Sequence, residues 1–362
     1  MEVWEKLNLH SELEGLIDMI SSSAANGQFA YVLGAGVSMV QRMPSWDKYT
    51  NDLIEYWKFH LEDISDEVEN KYLLMLDMIK KSDENNKRKI DYVHQLIRDL
   101  GADEKMLQFE QMYFSKMQPL IPENEVIQKL IRVHAKFITT NYDSQIEKHL
   151  SNINDAKVQR TIRDLGKFSV GDKIPDVMHI HGSPDSKPEN FVNSTKSYET
   201  MYLQPNDGLE SFKKELGARI TTTLTVGSGL QEPEVLNIFS KVQTNYALMR
   251  VEDGDIDDPV VLSLLKLKSE MYMHNHKVKV IWYGTKFEDL PLFLDWLINK
   301  VFVTNNDATL AESVIKLHST DEEFNEYGSD VKTPDLFLEP ARARTTKIFQ
   351  NDLISYRFWV IF

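Results

Sequence analysis

The stretch Gln28-Phe-Ala-Tyr-Val-Leu33, followed at once by Gly34-Ala-Gly-Val-Ser38, is the clearest structural signal in this chain. Its first half is mostly apolar and short, which is typical of a strand buried on both faces of a parallel sheet. The two glycines that follow let the backbone turn tightly and approach a ligand or another segment closely. The stretch therefore predicts a buried strand that ends in a sharp glycine turn.

Similar apolar runs recur along the chain and alternate with segments of helical spacing. Further strands are predicted at Lys136–Thr140, Val177–Ile180, Ile220–Val226 and Val278–Tyr283. Helices are predicted at residues 11–25, Trp46–Ile64, Glu67–Lys81, Lys89–Leu100, Asp103–Ser115, Glu123–His134, Ser144–Leu150, Lys196–Leu203, Gly208–Leu216, Pro233–Phe239 and Leu290–Val301. This alternation predicts an α/β fold, a Rossmann-like parallel sheet with a mainly helical insert or second module.

The predicted domain organisation has two parts. Residues 1–300 form one α/β domain, with the helical insert at about 47–134. Residues 301–362 form a C-terminal extension that ends in the apolar segment Tyr356-Arg-Phe-Trp-Val-Ile-Phe362. That segment is either a docked final strand or a contact surface for an oligomer or a partner.

Composition excludes several classes of function. The chain has 362 residues and a net charge of -15, which disfavours direct contact with nucleic-acid phosphates. It has no cysteine, so disulfides, thiolate zinc sites and cysteine nucleophiles are absent. No stretch approaches the roughly 18 apolar residues of a membrane span, and the N-terminus lacks a signal-peptide pattern. We therefore expect a cytoplasmic protein that contacts neither membrane nor nucleic acid directly.

Glycine-rich or polar segments follow four of the predicted strands directly. They are Gly34–Ser38, Asn141–Asp143, His181–Ser183 and Gly227–Gly229. Ligands of open parallel sheets bind beyond the carboxyl ends of the strands, where such segments meet. We therefore expect these four segments to converge on one crevice.

The glycine segments allow two interpretations each. Backbone amides of Gly34–Ser38 can point at a pyrophosphate, or the segment can be a plain strand–loop turn. Gly227–Gly229 can pack against a ribose, or it can be a simple turn.

The polar residues also have alternatives. The Asn141 amide can hold a water or a ribose hydroxyl, and Asp143 can orient that amide or cap the following helix. His181 can accept a hydroxyl proton as a neutral imidazole, or it can be structural. Strand alternation predicts that His179 and His181 share one face, and Gly182-Ser183 provides a close turn beside a ligand.

The order of these segments is more specific than any one of them. The set comprises the strand with Gly34-Ala-Gly-Val-Ser38, then Pro44-Ser-Trp46, Thr139-Thr-Asn-Tyr-Asp143, His181-Gly-Ser183 and Val226-Gly-Ser-Gly-Leu230. From about residue 28 to about 300, the chain resembles the sirtuin superfamily. More narrowly, it is similar to the sirtuin-like NAD-cleaving effectors of bacterial antiphage defence.

The resemblance implies a site for NAD, which is a substrate here, and no metal. It implies that Asn141 and His181 are the catalytic pair, with Asp143 beside them. The residues it implies for NAD binding are Gly34, Ala35, Gly36, Ser38, Trp46, Thr140, Gly182, Ser183, Gly227, Ser228 and Gly229. The glycine turn would cradle the phosphates, and Gly227 and Ser228 would line the adenosine side.

Departures from the sirtuin deacylases favour NAD hydrolysis over deacylation. The deacylases carry a four-cysteine zinc module that this chain lacks. Where they read Pro-Asp-Phe-Arg and Gln-Asn-Ile-Asp, this chain reads Pro44-Ser-Trp-Asp47 and Thr140-Asn-Tyr-Asp143. The favoured products are nicotinamide and ADP-ribose. The alternatives are an NAD-dependent protein deacylase, a non-catalytic NAD or ADP-ribose sensor, and a generic nucleotide-binding α/β domain.

An uncontrolled NAD hydrolase would kill its host, so we expect regulation. The resemblance implies a separate partner, either a HerA-type translocase ATPase or a nucleotide-processing subunit that responds to a nucleotide signal. We also expect a homo-oligomer. The helices of residues 47–134, as a lid or an oligomer contact, and the aromatic C-terminus are the candidate surfaces, unless both belong to the ordinary core.

Overall fold

The structure is a computed structural model that describes residues 2–61, 66–116, 119, 123–151, 161–183, 186, 190–230, 232–252 and 254–319. The chain divides into two compact units, Met1–Glu312 and Ser313–Phe362. The first unit contains all the strands described below and the candidate site. Most of the predicted extension 301–362, including the apolar segment 356–362, lies outside the described residues.

The centre of the first unit is a seven-stranded sheet in which every strand pair is parallel. Its strands are β1 (Phe29–Leu33), β2 (Lys136–Thr139), β3 (Ile162–Asp164), β4 (Val177–His179), β5 (Thr222–Val226), β6 (Thr244–Arg250) and β7 (Val278–Gly284). Their order is β3-β4-β2-β1-β5-β6-β7, so β1 lies between β2 and β5. This arrangement confirms the predicted Rossmann-like α/β fold and places its topological switch point beside β1.

Helices connect the strands and cover the sheet. They are α1 (Val3–Leu7), α2 (His10–Ala25), α3 (Ala35–Met39), α4 (Trp46–His60), α5 (Asp66–Lys81), α6 (Asn86–Asp99), α7 (Asp103–Lys116), α8 (Glu125–Leu130), α9 (Gln145–Ser151), α10 (Thr195–Tyr198), α11 (Asp207–Arg219), α12 (Pro233–Ile238), α13 (Pro259–His276) and α14 (Asp289–Ser319). A 3₁₀ turn spans Leu165–Lys167, and a π-helical turn spans Glu199–Leu203. None of the described helices is both long and apolar enough to cross a membrane.

Strand β1 shows why a continuous apolar run marks this sheet. Phe29, Tyr31 and Leu33 belong to the core on one face, whereas Ala30 and Val32 belong to the core on the other. All five are nearly fully buried. Because successive side chains point to opposite faces, a strand covered on both sides must be apolar throughout.

Helices α4–α7, called the helical module below, lie between β1 and β2 in the chain. They have a hydrophobic core of their own, which includes the buried side chains of Leu53, Trp57 and Ile90. Ser45 caps α4 by accepting from the Lys48 amide, and Asn85 caps α6 by accepting from the Arg88 amide. These helices cover most of the helical insert predicted at about 47–134, whereas the buried residues of α8 belong to the core of the sheet. The domain boundaries stay a prediction.

Some elements depart from the sequence-based predictions. Strands β3 and β6 and helix α13 were not expected, and α8 covers only Glu125–Leu130 of the helix predicted at 123–134. Helix α14 continues from Asp289 to Ser319, across the predicted domain boundary at residue 300. Helix α13 buries only Leu265 and exposes apolar residues on several sides, so no single apolar stripe marks it.

Candidate functional site

The segments beyond the carboxyl ends of β1, β2 and β4 border one cavity of about 70 Å³. The predicted site residues that line it are Ala35, Ser38, Trp46, Thr140, Asn141, Asp143 and His181. Its other lining residues are Met43, Pro44, Ser45, Tyr49, Phe114, Tyr142 and Glu232. The fold thus brings the three predicted catalytic residues to one place from separate strand ends.

The turn after β1 and the turn after β5 contact each other backbone to backbone. The Gly36 amide donates to the Gly227 carbonyl at 2.8 Å, and the Gly34 amide donates to the Val226 carbonyl at 3.0 Å. A Cβ atom at Gly34 would lie 2.6 Å from the Gly227 carbonyl oxygen. Glycine is required here because two turns approach closely. These amides contact protein acceptors, and the phosphate-binding role of the turn stays a prediction.

The Asn141 side chain joins the ends of β1 and β2. Its Nδ2 atom donates to the Gly34 carbonyl at 3.0 Å and to the Ser38 hydroxyl at 2.9 Å. A carbonyl can only accept, so the amide orientation is fixed with Nδ2 toward Gly34. Both hydrogens of Nδ2 are thereby used, and Oδ1 is the amide atom left to contact a ligand in the cavity.

Asp143 accepts hydrogen bonds from the start of α9 and from Ser38. Its Oδ1 accepts from the Gln145 amide at the start of α9, and its Oδ2 accepts from the Ser38 hydroxyl at 2.7 Å. Ser38 therefore gives its hydrogen to Asp143 and accepts from Asn141, which fixes a directed chain of hydrogen bonds. Burial raises the pKa of Asp143, and the bonds from Ser38 and Gln145 oppose that rise.

His179 lies behind Asn141 and forms a buried ion pair. Its Nδ1 is 3.0 Å from the Asn141 carbonyl, and its Nε2 is 2.6 Å from Oε1 of Glu147. Both partners are acceptors, so both ring nitrogens carry hydrogens and the ring is protonated. Burial alone would lower the pKa of His179, but Glu147 and the Asn141 carbonyl outweigh it and the pKa is raised. His179 thus supports the Asn141 backbone, whereas His181 lines the cavity.

His181 is in the opposite electrostatic state. Its side chain is 1% exposed, and burial lowers its pKa to about 4. Its Nε2 atom has no hydrogen-bond partner among the described residues. A neutral imidazole with an unused ring nitrogen beside a cavity can accept a proton, which is the chemistry expected of this residue.

An aromatic wall closes the cavity on the side of the helical module. Tyr142 stacks on Phe114 with ring centroids 4.3 Å apart and meets Trp46 edge-on at 5.9 Å. The Tyr142 hydroxyl donates to the Val192 carbonyl at 2.7 Å. Trp46 was predicted as a site residue but Phe114 was not, because in the sequence Phe114 is only one of the apolar residues of a predicted helix.

Glu232 is a further cavity residue that sequence analysis did not select. It precedes α12, and its Oε1 atom accepts from the Tyr198 hydroxyl at 2.6 Å and lies 2.8 Å from Nζ of Lys87. A carboxylate three residues after the Gly227–Gly229 turn is the signal in the sequence. That signal is weak because the carboxylate's partners come from distant segments.

The remaining predicted residues do not line the cavity. Gly182 has φ +97°, and a Cβ there would lie 2.9 Å from the Phe191 ring. The Ser183 amide donates to the Ser186 hydroxyl at 2.6 Å. Ser228 accepts from the Leu230 amide at 3.3 Å, and Gly229 is exposed. These residues shape the turns around the cavity.

Across the described residues, no group of three or more His, Asp or Glu side chains could hold a metal ion.

The family model described as the SIR2-like domain matches residues 135–253 of the chain. The matched region starts just before β2 and includes Asn141, His181 and Gly227, but not the glycine turn after β1. The match supports a sirtuin-like superfamily member with NAD-related activity, since SIR2-like proteins are NAD-dependent enzymes in general. No curated protein matches the chain.

The contact between the two turns predicts a large cost for a small side chain. Gly36→Ala places a Cβ 2.9 Å from the Gly227 backbone, so we expect a loss of about 1–3 kcal/mol of stability, measured by thermal unfolding. Gly15→Ala is the matched control, because its Cβ meets only the Tyr246 hydroxyl at 3.7 Å inside α2. That control should keep or raise the melting temperature. Equal melting temperatures for the two variants would contradict the close approach.

The buried ion pair predicts a pH-dependent stability. Because the pKa of His179 is raised on folding, its contribution is complete below about pH 6.5 and is lost as pH rises through the folded pKa. Glu147→Gln should therefore lower the melting temperature more at about pH 6 than at about pH 9. Glu14→Gln makes the same change in the exposed His10–Glu14 pair and should have little effect at either pH. A Glu147→Gln effect independent of pH would show that His179 is neutral.

Proposed function

We propose that the protein is an NAD⁺ hydrolase that cleaves the nicotinamide–ribose bond to give nicotinamide and ADP-ribose. The observation that carries the proposal is the pairing of Asn141 with a neutral His181 whose Nε2 is unused, in one cavity of a sirtuin-like chain. Asn141 is fixed by Gly34 and Ser38, and His181 is held deprotonated by burial.

The chemistry needs little more than these groups supply. The bond between the anomeric carbon and the nicotinamide nitrogen breaks, and its electron pair leaves with a neutral nicotinamide. Water then bonds to the anomeric carbon and loses a proton. Since the leaving group needs no protonation, the two carboxylates of most glycosidases are not required. His181 Nε2 accepts a proton from the water or from a ribose hydroxyl.

Asn141 positions the reacting groups in this scheme. Its Oδ1 accepts a hydrogen from the water or from a ribose hydroxyl, because both hydrogens of Nδ2 are already donated. Asp143 holds Ser38, Ser38 holds Asn141, and the chain of bonds leaves the amide one orientation. Such fixed positioning lowers the entropic part of the barrier.

The size of the cavity supports a regulated activity. At about 70 Å³ it is well below the roughly 300–1,000 Å³ of ligand pockets, so the cavity as it stands can hold only part of a dinucleotide. Trp46, Tyr49 and Phe114 of the helical module form part of the wall. We propose that movement of this module opens the site and that a partner or a nucleotide signal drives the movement.

The biological role follows from the same reasoning. We propose that the chain is the NAD-depleting effector of a bacterial antiphage defence system and acts in the cytoplasm as a homo-oligomer. A separate regulatory subunit, a HerA-type ATPase or a nucleotide-processing protein, would supply the activating signal. The resemblance to such effectors, the small cavity and the net charge of -15, which disfavours direct sensing of nucleic acid, support this role.

Two substitutions test the hydrolase. We expect His181→Ala to lower nicotinamide release from NAD by about 10²–10⁴-fold, because it removes the general base. Asn141→Ala should lower it by at least about 10²-fold, because it removes the positioning amide. Release is followed by liquid chromatography with the purified chain, alone and with its activating partner. His10→Ala makes the same change as His181→Ala at an exposed position and should retain the wild-type rate.

The outcomes separate the candidate functions. NAD consumption at the wild-type rate in both site variants would overturn the assignment of Asn141 and His181. Consumption that requires an acyl-lysine peptide would identify a deacylase, and binding of NAD without release of nicotinamide a sensor. In bacterial cells, phage protection together with a fall in NAD should depend on His181 if the chain is a defence effector.

The small volume of the cavity leads to a separate prediction. Phe114→Leu removes the ring that stacks on Tyr142 and enlarges the cavity without touching the predicted catalytic residues. We expect a higher rate of nicotinamide release in the absence of any activator, by about 3-fold or more if opening limits NAD entry. Phe109→Leu is the control, since Phe109 is a buried residue of the same module that does not line the cavity. A lower basal rate for Phe114→Leu alone would contradict gating by this wall.

A further inference from the structure

The surroundings of His181 distinguish its two ring nitrogens. Nδ1 faces the Tyr198 hydroxyl at 3.5 Å, and the two rings meet edge-on with centroids 5.1 Å apart. Nε2 is buried beside the cavity and has no partner in the described part of the chain. The identity of the protonated nitrogen therefore depends on what the Tyr198 hydroxyl does with its own hydrogen.

The hydrogen bonds of Tyr198 determine which nitrogen of His181 carries the ring hydrogen. Tyr198 has a single hydroxyl hydrogen, and Oε1 of Glu232 accepts it at 2.6 Å. The phenolic oxygen consequently offers only lone pairs to His181. Nδ1 must carry the ring hydrogen to use that acceptor, and Nε2, which has no partner among the described residues, keeps its lone pair.

Charge keeps this arrangement in place. The pKa of Glu232 is lowered despite burial, which raises it, and the hydrogen bonds from Lys87 and the Tyr198 hydroxyl are among the causes. Lys87, on α6 of the helical module, lies 2.8 Å from Oε1 of Glu232 and 3.3 Å above the Tyr198 ring. Burial and Glu232 raise the pKa of Tyr198, so its hydroxyl stays protonated. Glu232 must be ionised and Tyr198 protonated for Tyr198 to donate its hydrogen to Glu232, and these are the states that the two pKa shifts favour.

The other groups that face His181 do not change its charge balance. The rings of Tyr142 and Tyr202 lie 6.5 and 6.0 Å from the His181 ring. Burial raises the pKa of both phenols, so both are neutral. The charges that act on His181 are then Glu232, which raises its pKa, and Lys87, which lowers it.

We propose that Tyr198 and Glu232 are positioning residues that hold His181 with its hydrogen on Nδ1, and that Lys87 tunes the basicity of His181 from the helical module. The proposal rests on the proposed function only in giving His181 the role of base. It adds a physical link, since a movement of α6 that carried Lys87 away would change the charge beside the base.

Histidine NMR tests the positioning without any substrate. In protein labelled with ¹⁵N-histidine, we expect the His181 signal, identified by its loss in His181→Gln, to show the Nδ1-protonated form. Tyr198→Phe should convert a measurable fraction to the Nε2-protonated form. Tyr202→Phe is the matched control, because the Tyr202 ring also faces His181 while its hydroxyl bonds the Ile180 carbonyl at 3.4 Å. An unchanged tautomer in Tyr198→Phe would overturn the proposal.

Two charge variants give shifts of opposite sign. Glu232→Gln removes the negative charge and should lower the pKa of His181 further, whereas Lys87→Gln removes the positive charge and should raise it. Loss of packing alone would not move the two variants in opposite directions. Shifts of the same sign would contradict the tuning by Lys87.

Kinetic measurements on Tyr198→Phe distinguish a failure of the positioning proposal from a failure of the proposed hydrolase function. We expect Tyr198→Phe to lower kcat for nicotinamide release by about 10-fold or more with KM little changed, because fewer molecules hold the base correctly. If the NMR results are as expected but the wild type does not hydrolyse NAD, the proposed hydrolase activity is wrong and the positioning of His181 stands. Wild-type hydrolysis with an unchanged kcat in Tyr198→Phe would refute the positioning and keep the hydrolase.

Discussion

The turn after β1 is bonded on both sides, and the candidate site depends on that double contact. On one side the Gly36 amide reaches the Gly227 carbonyl, and on the other the Gly34 carbonyl accepts from Asn141. Three strand ends are therefore joined by direct hydrogen bonds. A side chain at Gly34 would displace the Gly227 backbone, and the Asn141 amide, which bonds the Gly34 carbonyl, would lose its fixed partner. The orientation of the Asn141 amide is thus a consequence of backbone packing at the switch point of the sheet.

Much of the fold is readable from the sequence because burial on both faces leaves a local mark. Strands β1 and β7 are mostly apolar runs and β5 is rich in β-branched residues, and the helices of the module carry apolar stripes and recognisable caps at Ser45 and Asn85. Strand β6 was not predicted because Thr244-Asn-Tyr-Ala-Leu-Met-Arg250 has a single β-branched residue. Strand β3 was not predicted because it is only three residues long. Those strands owe their conformation to pairing with neighbours, which local sequence does not encode.

Only some residues of the candidate site could likewise be predicted from the sequence. Asn141, Asp143 and His181 follow directly after strands, so their convergence could be predicted from topology and from the ordered motifs. Tyr198, Glu232 and Lys87 could not, because they meet only through three-dimensional packing of α10, α12 and α6. The role of the glycines also depends on contacts between segments that are distant in the sequence. A Gly-x-Gly turn is compatible with a bound phosphate, and only the position of Gly227 shows a second turn packed against it.

The helical module contributes to the site in two physically different ways. Phe114 restricts the volume of the cavity, and Lys87 contributes a positive charge near His181. If the site exchanges between closed and open forms, a regulator needs only to prefer the open one. A 100-fold preference corresponds to about 2.7 kcal/mol, which can move a minor open population to a major one. A module that moves as a unit would change space and charge together, so entry of the substrate and basicity of His181 would respond to one signal.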